Sequence, residues 1–159
     1  MGEALEPGDG NSEQLRGMLQ AVGTPDELRQ LLETPGVDDA VIAQFAQAVG
    51  VDNLLDRVFG LMGTRFVPER AGKDGGAARW NIDTPDGVRT YHLVIAGGRA
   101  DGGRGAPDKT KVTLGMSLQN LLRLCAGRLN GVTGVMTGKI KISGDMMFGA
   151  KMQGWFDYS

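Results

Sequence analysis

Residues 78–95, Ala78-Arg79-Trp80-Asn81-Ile82-Asp83-Thr84-Pro85-Asp86-Gly87-Val88-Arg89-Thr90-Tyr91-His92-Leu93-Val94-Ile95, decide the fold class. Ala78, Trp80 and Ile82 alternate with Arg79, Asn81 and Asp83; farther on, Arg89, Tyr91, Leu93 and Ile95 alternate with Val88, Thr90, His92 and Val94. A period of two sends successive side chains to opposite faces of a strand, so each half has one apolar and one more polar face. Pro85-Asp86-Gly87 between the halves supplies turn chemistry. The stretch predicts a hairpin in a mainly antiparallel sheet with one dry and one wet side.

Outward from the hairpin the same alternation returns twice. Thr110, Val112, Leu114 and Met116 interleave with Lys111, Thr113 and Gly115, and Ile140 and Ile142 with Lys139, Lys141 and Ser143. Five of the nine residues Gly97–Gly105 are glycine, so a strand there is short and lies at an edge or on a loop. Upstream the period is helical. Ser12 opens a short helix to Val22, and Thr24-Pro25-Asp26-Glu27 places a capping Thr, a Pro at the first helical position and a Glu at the third, starting a helix to about Glu33. Asp38 caps a third helix that Gly50 ends, and Val51 to about Phe66 forms a fourth with Leu54, Leu55, Val58, Phe59 and Met62 on one apolar face. Downstream, Ser117 caps a helix over 118–126, a turn lies at 132–137, and Asp145 caps a helix over Met146–Gln153. A sheet with one dry face needs a cover, and these helices supply it: an α+β layer fold.

Composition bounds the chemistry. A chain of 159 residues with 41% hydrophobic residues suits one compact domain. No run approaches the roughly 18 apolar residues of a membrane span, and the first residues lack the basic and apolar regions of a signal peptide, so the expectation is a soluble cytoplasmic protein. Cys125 is the sole cysteine and His92 the sole histidine, which excludes an internal disulfide, a four-Cys site and a multi-His zinc site. Residues 1–35 hold seven acids and two bases, a net charge of −5, and the remainder is +3 within a total of −2. That is too weakly basic for nucleic acid, though compatible with a transient approach to an anionic membrane. Gly134–Ile140 looks like a phosphate loop but has Thr133 in place of its first Gly and Ile140 in place of Ser/Thr. Gly115-Met116-Ser117-Leu118-Gln119 fails as a nucleophile elbow at Gln119. Ser117 is read as a helix cap, His92 as a partly exposed structural side chain and Cys125 as a small buried hydrophobe. No metal and no cofactor is expected.

The positive signal is apolar. Five of eight methionines, Met116, Met136, Met146, Met147 and Met152, fall in the last third of the chain beside Phe148, Trp155 and Phe156. Methionine adapts its shape, which suits either gap filling or a cavity for bulky guests.

The closing stretch Gly134-Val135-Met136-Thr137-Gly138-Lys139-Ile140-Lys141-Ile142-Ser143-Gly144-Asp145-Met146-Met147, followed by Ala150-Lys151-Met152-Gln153, resembles the end of the sterol carrier protein 2 (nonspecific lipid-transfer) family. Pro107 to Leu114 and Leu121 to Asn130 fall in that family's order, and the likeness spans about residues 50–155. The resemblance implies a five-stranded sheet covered on one face by helices, with an apolar pocket between the layers for fatty acyl chains, sterols and similar molecules. On that reading Phe59, Met62, Trp80, Leu93, Met116, Leu121, Leu124, Met136, Met146, Met147 and Met152 are candidate pocket walls. Gln153, matching the family's closing Gln, is the candidate polar anchor. The chain lacks a terminal Ser-Lys-Leu, an expectation of a bacterial cytoplasmic member. The expected organisation is a mobile tail over 1–12, an acidic helical arm over 13–49 and the lipid-binding domain over 50–159. Three functions stay open: a carrier of a bulky lipid, sterol, fatty acyl or polyketide-like ligand; a cyclase or isomerase that folds a polyene or polyketide without metal or nucleotide; and a helper module docked on a partner enzyme through the acidic arm.

Overall fold

The computed structural model describes residues 23–159. The expected helix over 12–22 and the tail lie outside the described residues. Seven helices and one five-stranded sheet follow. In chain order they are α1 (Pro25–Glu33), α2 (Asp39–Val49), α3 (Val51–Thr64), α4 (Pro68–Ala71), β1 (Gly76–Thr84), β2 (Gly87–Ala96), β3 (Arg99–Arg104), β4 (Val112–Ser117), α5 (Leu118–Cys125), α6 (Gly131–Met136), β5 (Lys141–Gly144) and α7 (Met146–Gln153).

Local chemistry sets most of these boundaries. The Thr24 hydroxyl accepts from the Glu27 N–H at 3.1 Å and donates to the Glu27 carboxylate at 3.0 Å, capping α1. Asp38, Ser117 and Asp145 accept from Val41, Asn120 and Phe148 N–H in the same way. Gly50, at φ 94°, separates α2 from α3 by a backbone conformation that a side chain disfavours. The one-turn α4, which starts at Pro68, and α6, capped by Asn130, are additions to the expected helices.

The sheet order is β3-β2-β1-β4-β5. Three pairings are antiparallel, but β1 and β4 are parallel, Trp80 lying opposite Leu114. The sheet is therefore mixed, a correction to the expected mainly antiparallel one. Alternation carries no direction; the connection does. Gly105 donates to Thr90 O at 2.8 Å and Lys111 to Ala77 O at 2.9 Å, and between these anchors the 105–111 loop carries the chain from edge strand β3 past β2 and β1. His92 lies on the wet side and its Nδ1 meets Gly105 O at 3.0 Å, steadying the start of this crossing. His92 is partly exposed, as expected.

The dry face carries Ala78, Trp80, Ile82, Tyr91, Leu93, Ile95, Val112, Leu114 and Met116, all buried. Helix α3 covers it at the β3 side and α7 at the β4–β5 side, with α5 between. Helices α1 and α2 pack behind α5 and α3. Leu28, Ile42, Phe45 and Ala46 thereby join the same core.

Candidate functional site

The interior between sheet and helices is almost wholly apolar, and an aromatic wedge holds its centre. Phe59 of α3 stacks on Tyr91 at 4.8 Å and meets Trp80 edge-on at 5.7 Å, Trp80 and Tyr91 being directly paired across β1 and β2. The Tyr91 hydroxyl leaves this wedge at its helix end, donating to the Asp56 carboxylate at 2.7 Å and to Asp52 O at 3.1 Å. Arg104 closes the corner with two hydrogen bonds to Asp56, at 2.9 and 2.7 Å. Burial, ahead of the neighbouring Asp56, raises the Tyr91 pKa, so its proton stays on at any physiological pH. Sequence reading missed this corner; its signal was Asp52 and Asp56 one turn apart on α3, beside a Tyr on the dry side of a strand.

Eight candidate wall residues, Phe59, Met62, Trp80, Leu93, Met116, Leu121, Leu124 and Met152, are buried in the core. Met136, Met146 and Met147 are not among them: they are 81%, 56% and 73% exposed. Where the pocket was expected, the two layers touch directly through side chains. Trp155 and Phe156 are buried too, against Phe148 and Phe66. The tail is tied down by Val67 N–H to Trp155 O at 2.7 Å and Asp157 N–H to Arg65 O at 2.9 Å.

Two enclosed donors in this interior lack a partner among the described residues: Trp80 Nε1 and Gln153 Nε2. An unpaired buried N–H costs about 1–3 kcal/mol, so each marks a place where an acceptor gains affinity. Gln153 lies beneath the start of α6, where a Cβ on Gly131 would stand 2.0 Å from its Oε1. Only glycine at 131 leaves that amide its position. Gln153 also lines a cavity of about 720 Å³ together with Leu124, Leu129, Ala150, Arg29 and Tyr158. Candidate anchor and candidate wall therefore meet at this cavity, with Leu124 leading inward to the core. Arg29 is committed to structure, donating to Ala126 O at 3.1 Å and Tyr158 O at 2.9 Å. A larger cavity, about 1190 Å³, lies at the glycine-rich end of the sheet and is lined by Lys73, Lys109 and Lys111.

Nucleophile chemistry finds little support. Burial pushes the Cys125 thiol up to about 12, leaving it protonated at neutral pH. The Ser117 hydroxyl is engaged as the α5 cap. Among the described residues, no group of three or more His, Cys, Asp or Glu is placed to hold a metal, and no helix is long and apolar enough to cross a membrane.

The comparisons agree with this architecture. A model of the SCP-2 sterol transfer family matches residues 67–157, more than half of the chain. The crystal structure of sterol carrier protein 2 like 2 from Aedes aegypti is 25% identical, with a TM-score of 0.50 over 65% of this chain and 94% of that one. The palmitated form of the Aedes aegypti protein, solved in solution, aligns at 24% identity and TM-score 0.52 over 63% and 87% of the two chains. The inverting sec-alkylsulfatase Pisa1 from Pseudomonas sp. shares the fold over 92% of this chain, at 17% identity and TM-score 0.57, and the chain spans 28% of that enzyme. No curated protein sequence matches.

Proposed function

The chain belongs to the SCP-2 sterol transfer family, whose members bind and transfer lipids, and from that premise we propose that it is a noncatalytic carrier of one bulky apolar molecule bearing a polar end. The observation that carries the reading is the unpartnered Gln153 amide beside a cavity that reaches the buried Leu124. A lipid site needs a large apolar contact area, worth about 25 cal/mol per Å² removed from water, and few polar groups to set orientation. The interior supplies that combination: Met62, Met116 and Met152 are pliable walls, and Gln153 and Trp80 are unpaired donors. The guest's apolar body displaces the contact between the layers, while its carbonyl or hydroxyl accepts from Gln153.

Titration with a fluorescent fatty acid or sterol tests this. Saturable binding at about one per chain, competed by other apolar molecules and not by nucleotides, is the expected result. Gln153→Leu removes the unpaired amide, so it should leave stability equal or higher while weakening a guest with a polar end about tenfold. No saturable binding across several lipid classes overturns the carrier reading.

A further inference from the structure

We propose that the wet face of the sheet carries a second binding site, for a small phosphorylated polyol such as a sugar phosphate, on the side opposite the apolar interior. A hollow of about 810 Å³ lies there, within the usual range for a small-molecule site. Strand register builds it. Arg79 lies opposite Thr113 and Thr113 opposite Ser143; Asn81 lies opposite Gly115 and Gly115 opposite Lys141; Asp83 lies opposite Ser117. Gly115 is the floor: a Cβ there would have only Asn81 O and Lys141 Cβ near it, at 3.8 and 3.9 Å, so open space stands where another residue would place a side chain. At roughly 4.8 Å per strand, Asn81 and Lys141 stand about 10 Å apart across that gap. Gly138, Lys139 and Asn120 form one rim, where the Asn120 amide donates to Lys139 O at 3.5 Å.

The occupant follows from unspent donors. Asn81 Oδ1 accepts from Arg79 Nε at 3.2 Å and from Thr90 Oγ1 at 2.9 Å, which fixes the half-buried guanidinium by one edge and leaves its two outer nitrogens without a partner among the described residues. Lys139 and Lys141 are exposed and make no ion pair among the described residues, and the Thr113 and Ser143 hydroxyls make no hydrogen bond there. Asp83 is the one acid lining the hollow, so three bases and one acid leave it at +2 in a chain of net charge −2. A phosphomonoester carries about −1.5 to −2 at neutral pH and offers three acceptor oxygens, which matches that charge and those donors; a single carboxylate would leave a base unneutralised. Asp83 sets the other end. Two residues along β1 from Arg79, it stands roughly 7 Å away at the rise of a strand, and a carboxylate there accepts from hydroxyls and repels a second phosphate. A polyol body joined to one phosphate satisfies both ends, whereas a nucleic acid or an acidic peptide would bring repeated anions past Asp83. The sheet itself separates this face from the apolar interior, so the site stands whether or not a lipid is carried.

Calorimetric titration of the full chain with glucose 6-phosphate, glycerol 3-phosphate, inorganic phosphate and glucose tests this. At least one of the two phosphorylated polyols should bind saturably at about one per chain and weaken as salt is raised, inorganic phosphate should bind about fivefold more weakly, and glucose should not bind measurably. Arg79→Gln and Lys141→Gln should each lower affinity for the polyol phosphate about tenfold or more. Asp83→Ala should weaken the polyol phosphate while leaving inorganic phosphate equal or tighter, a reversal that damage to the fold would not produce. Gly115→Val fills the floor with a good strand residue, so it should keep or raise Tm and abolish binding. Should valine prevent folding, Gly115→Ala, whose Cβ meets nothing closer than 3.8 Å, should still fold and weaken binding. Gln153→Leu should leave polyol phosphate binding unchanged, which separates this site from the lipid site. No saturable binding of either polyol phosphate, equal affinity for inorganic phosphate, or wild-type affinity in a folded Gly115 variant overturns the proposal. So does tighter binding of a short single-stranded RNA or of phosphatidic acid vesicles that the Arg79 and Lys141 variants abolish, which would assign the cations to a polyanion or a lipid headgroup.

Discussion

Asp56 is the residue where electrostatics and packing meet. The paired hydrogen bond from Arg104 is the largest influence holding its carboxyl below the usual carboxylate range; partial burial opposes it and the Tyr91 hydroxyl assists. A lowered folded-state pKa means stability that is present above the ordinary carboxylate value and lost as pH falls through the lowered one. The gain is small, because the Arg104 and Asp56 side chains are 57% and 45% exposed and water screens them. Arg104→Gln should accordingly lower Tm by at most a few degrees at neutral pH, and wild type and variant should converge as pH falls through the lowered Asp56 value. Thermal melts across the acid range check this; a Tm difference that persists at the acid end would show that Arg104 acts through packing instead. The same residue scale shows what patterning could convey. Tyr91 was legible as a dry-face residue, since its neighbours alternate, but the destination of its hydroxyl depended on how α3 crosses the sheet.

At the scale of elements, α3 against β3 is the most demanding contact. A Cβ on Gly63 would stand 2.7 Å from the Ala100 carbonyl oxygen, and one on Gly102 would stand 3.0 Å from Phe59 Cβ. Glycine on both partners lets the helix approach the backbone of the edge strand. Gly63→Ala is a test with a sign: helix propensity alone favours alanine by about 1 kcal/mol, whereas overpacking against backbone costs about 1–3 kcal/mol. The expected outcome is net destabilisation in urea unfolding, with unchanged helix content by circular dichroism. A stabilised variant would mean that α3 can lift from β3 without penalty. Most elements were readable in advance because their ends are written locally, in Thr24-Pro25, Asp38, Ser117 and Asp145. The short α4 was not, since four residues offer no periodicity.

On the scale of the whole molecule, the acidic N-terminal segment is joined to the core in its described part. Leu28 is fully buried, and Arg29 ties α1 to the carbonyls of Ala126 after α5 and Tyr158 near the C-terminus. Burying one leucine is worth about 1.5–3 kcal/mol. Deleting residues 1–35 should therefore keep a cooperative transition, because the sheet and its direct cover remain, and lower Tm by about 5–10 °C. Calorimetry of the truncated chain decides: an unchanged Tm would make the arm an appendage, and loss of the transition would make it indispensable to the fold.

Residue order alone determined the alternating strands, the hairpin at Pro85-Asp86-Gly87, the capped helices and the side of the sheet each residue takes, because these depend on neighbours a few positions apart. It also placed Gln153 in a motif. Strand direction was decided only in three dimensions: β1 and β4 run parallel because the 105–111 loop crosses β2 and β1 before the chain re-enters the sheet. The fate of the methionines was decided there as well. Met116 and Met152 face the interior while Met136, Met146 and Met147 face water, and composition counts all five alike. Glycines 134 and 149 let two short helices approach Ile140 and Ile142 closely, and Met136, Met146 and Met147, at the helix ends, lie outside the core that Met152 joins.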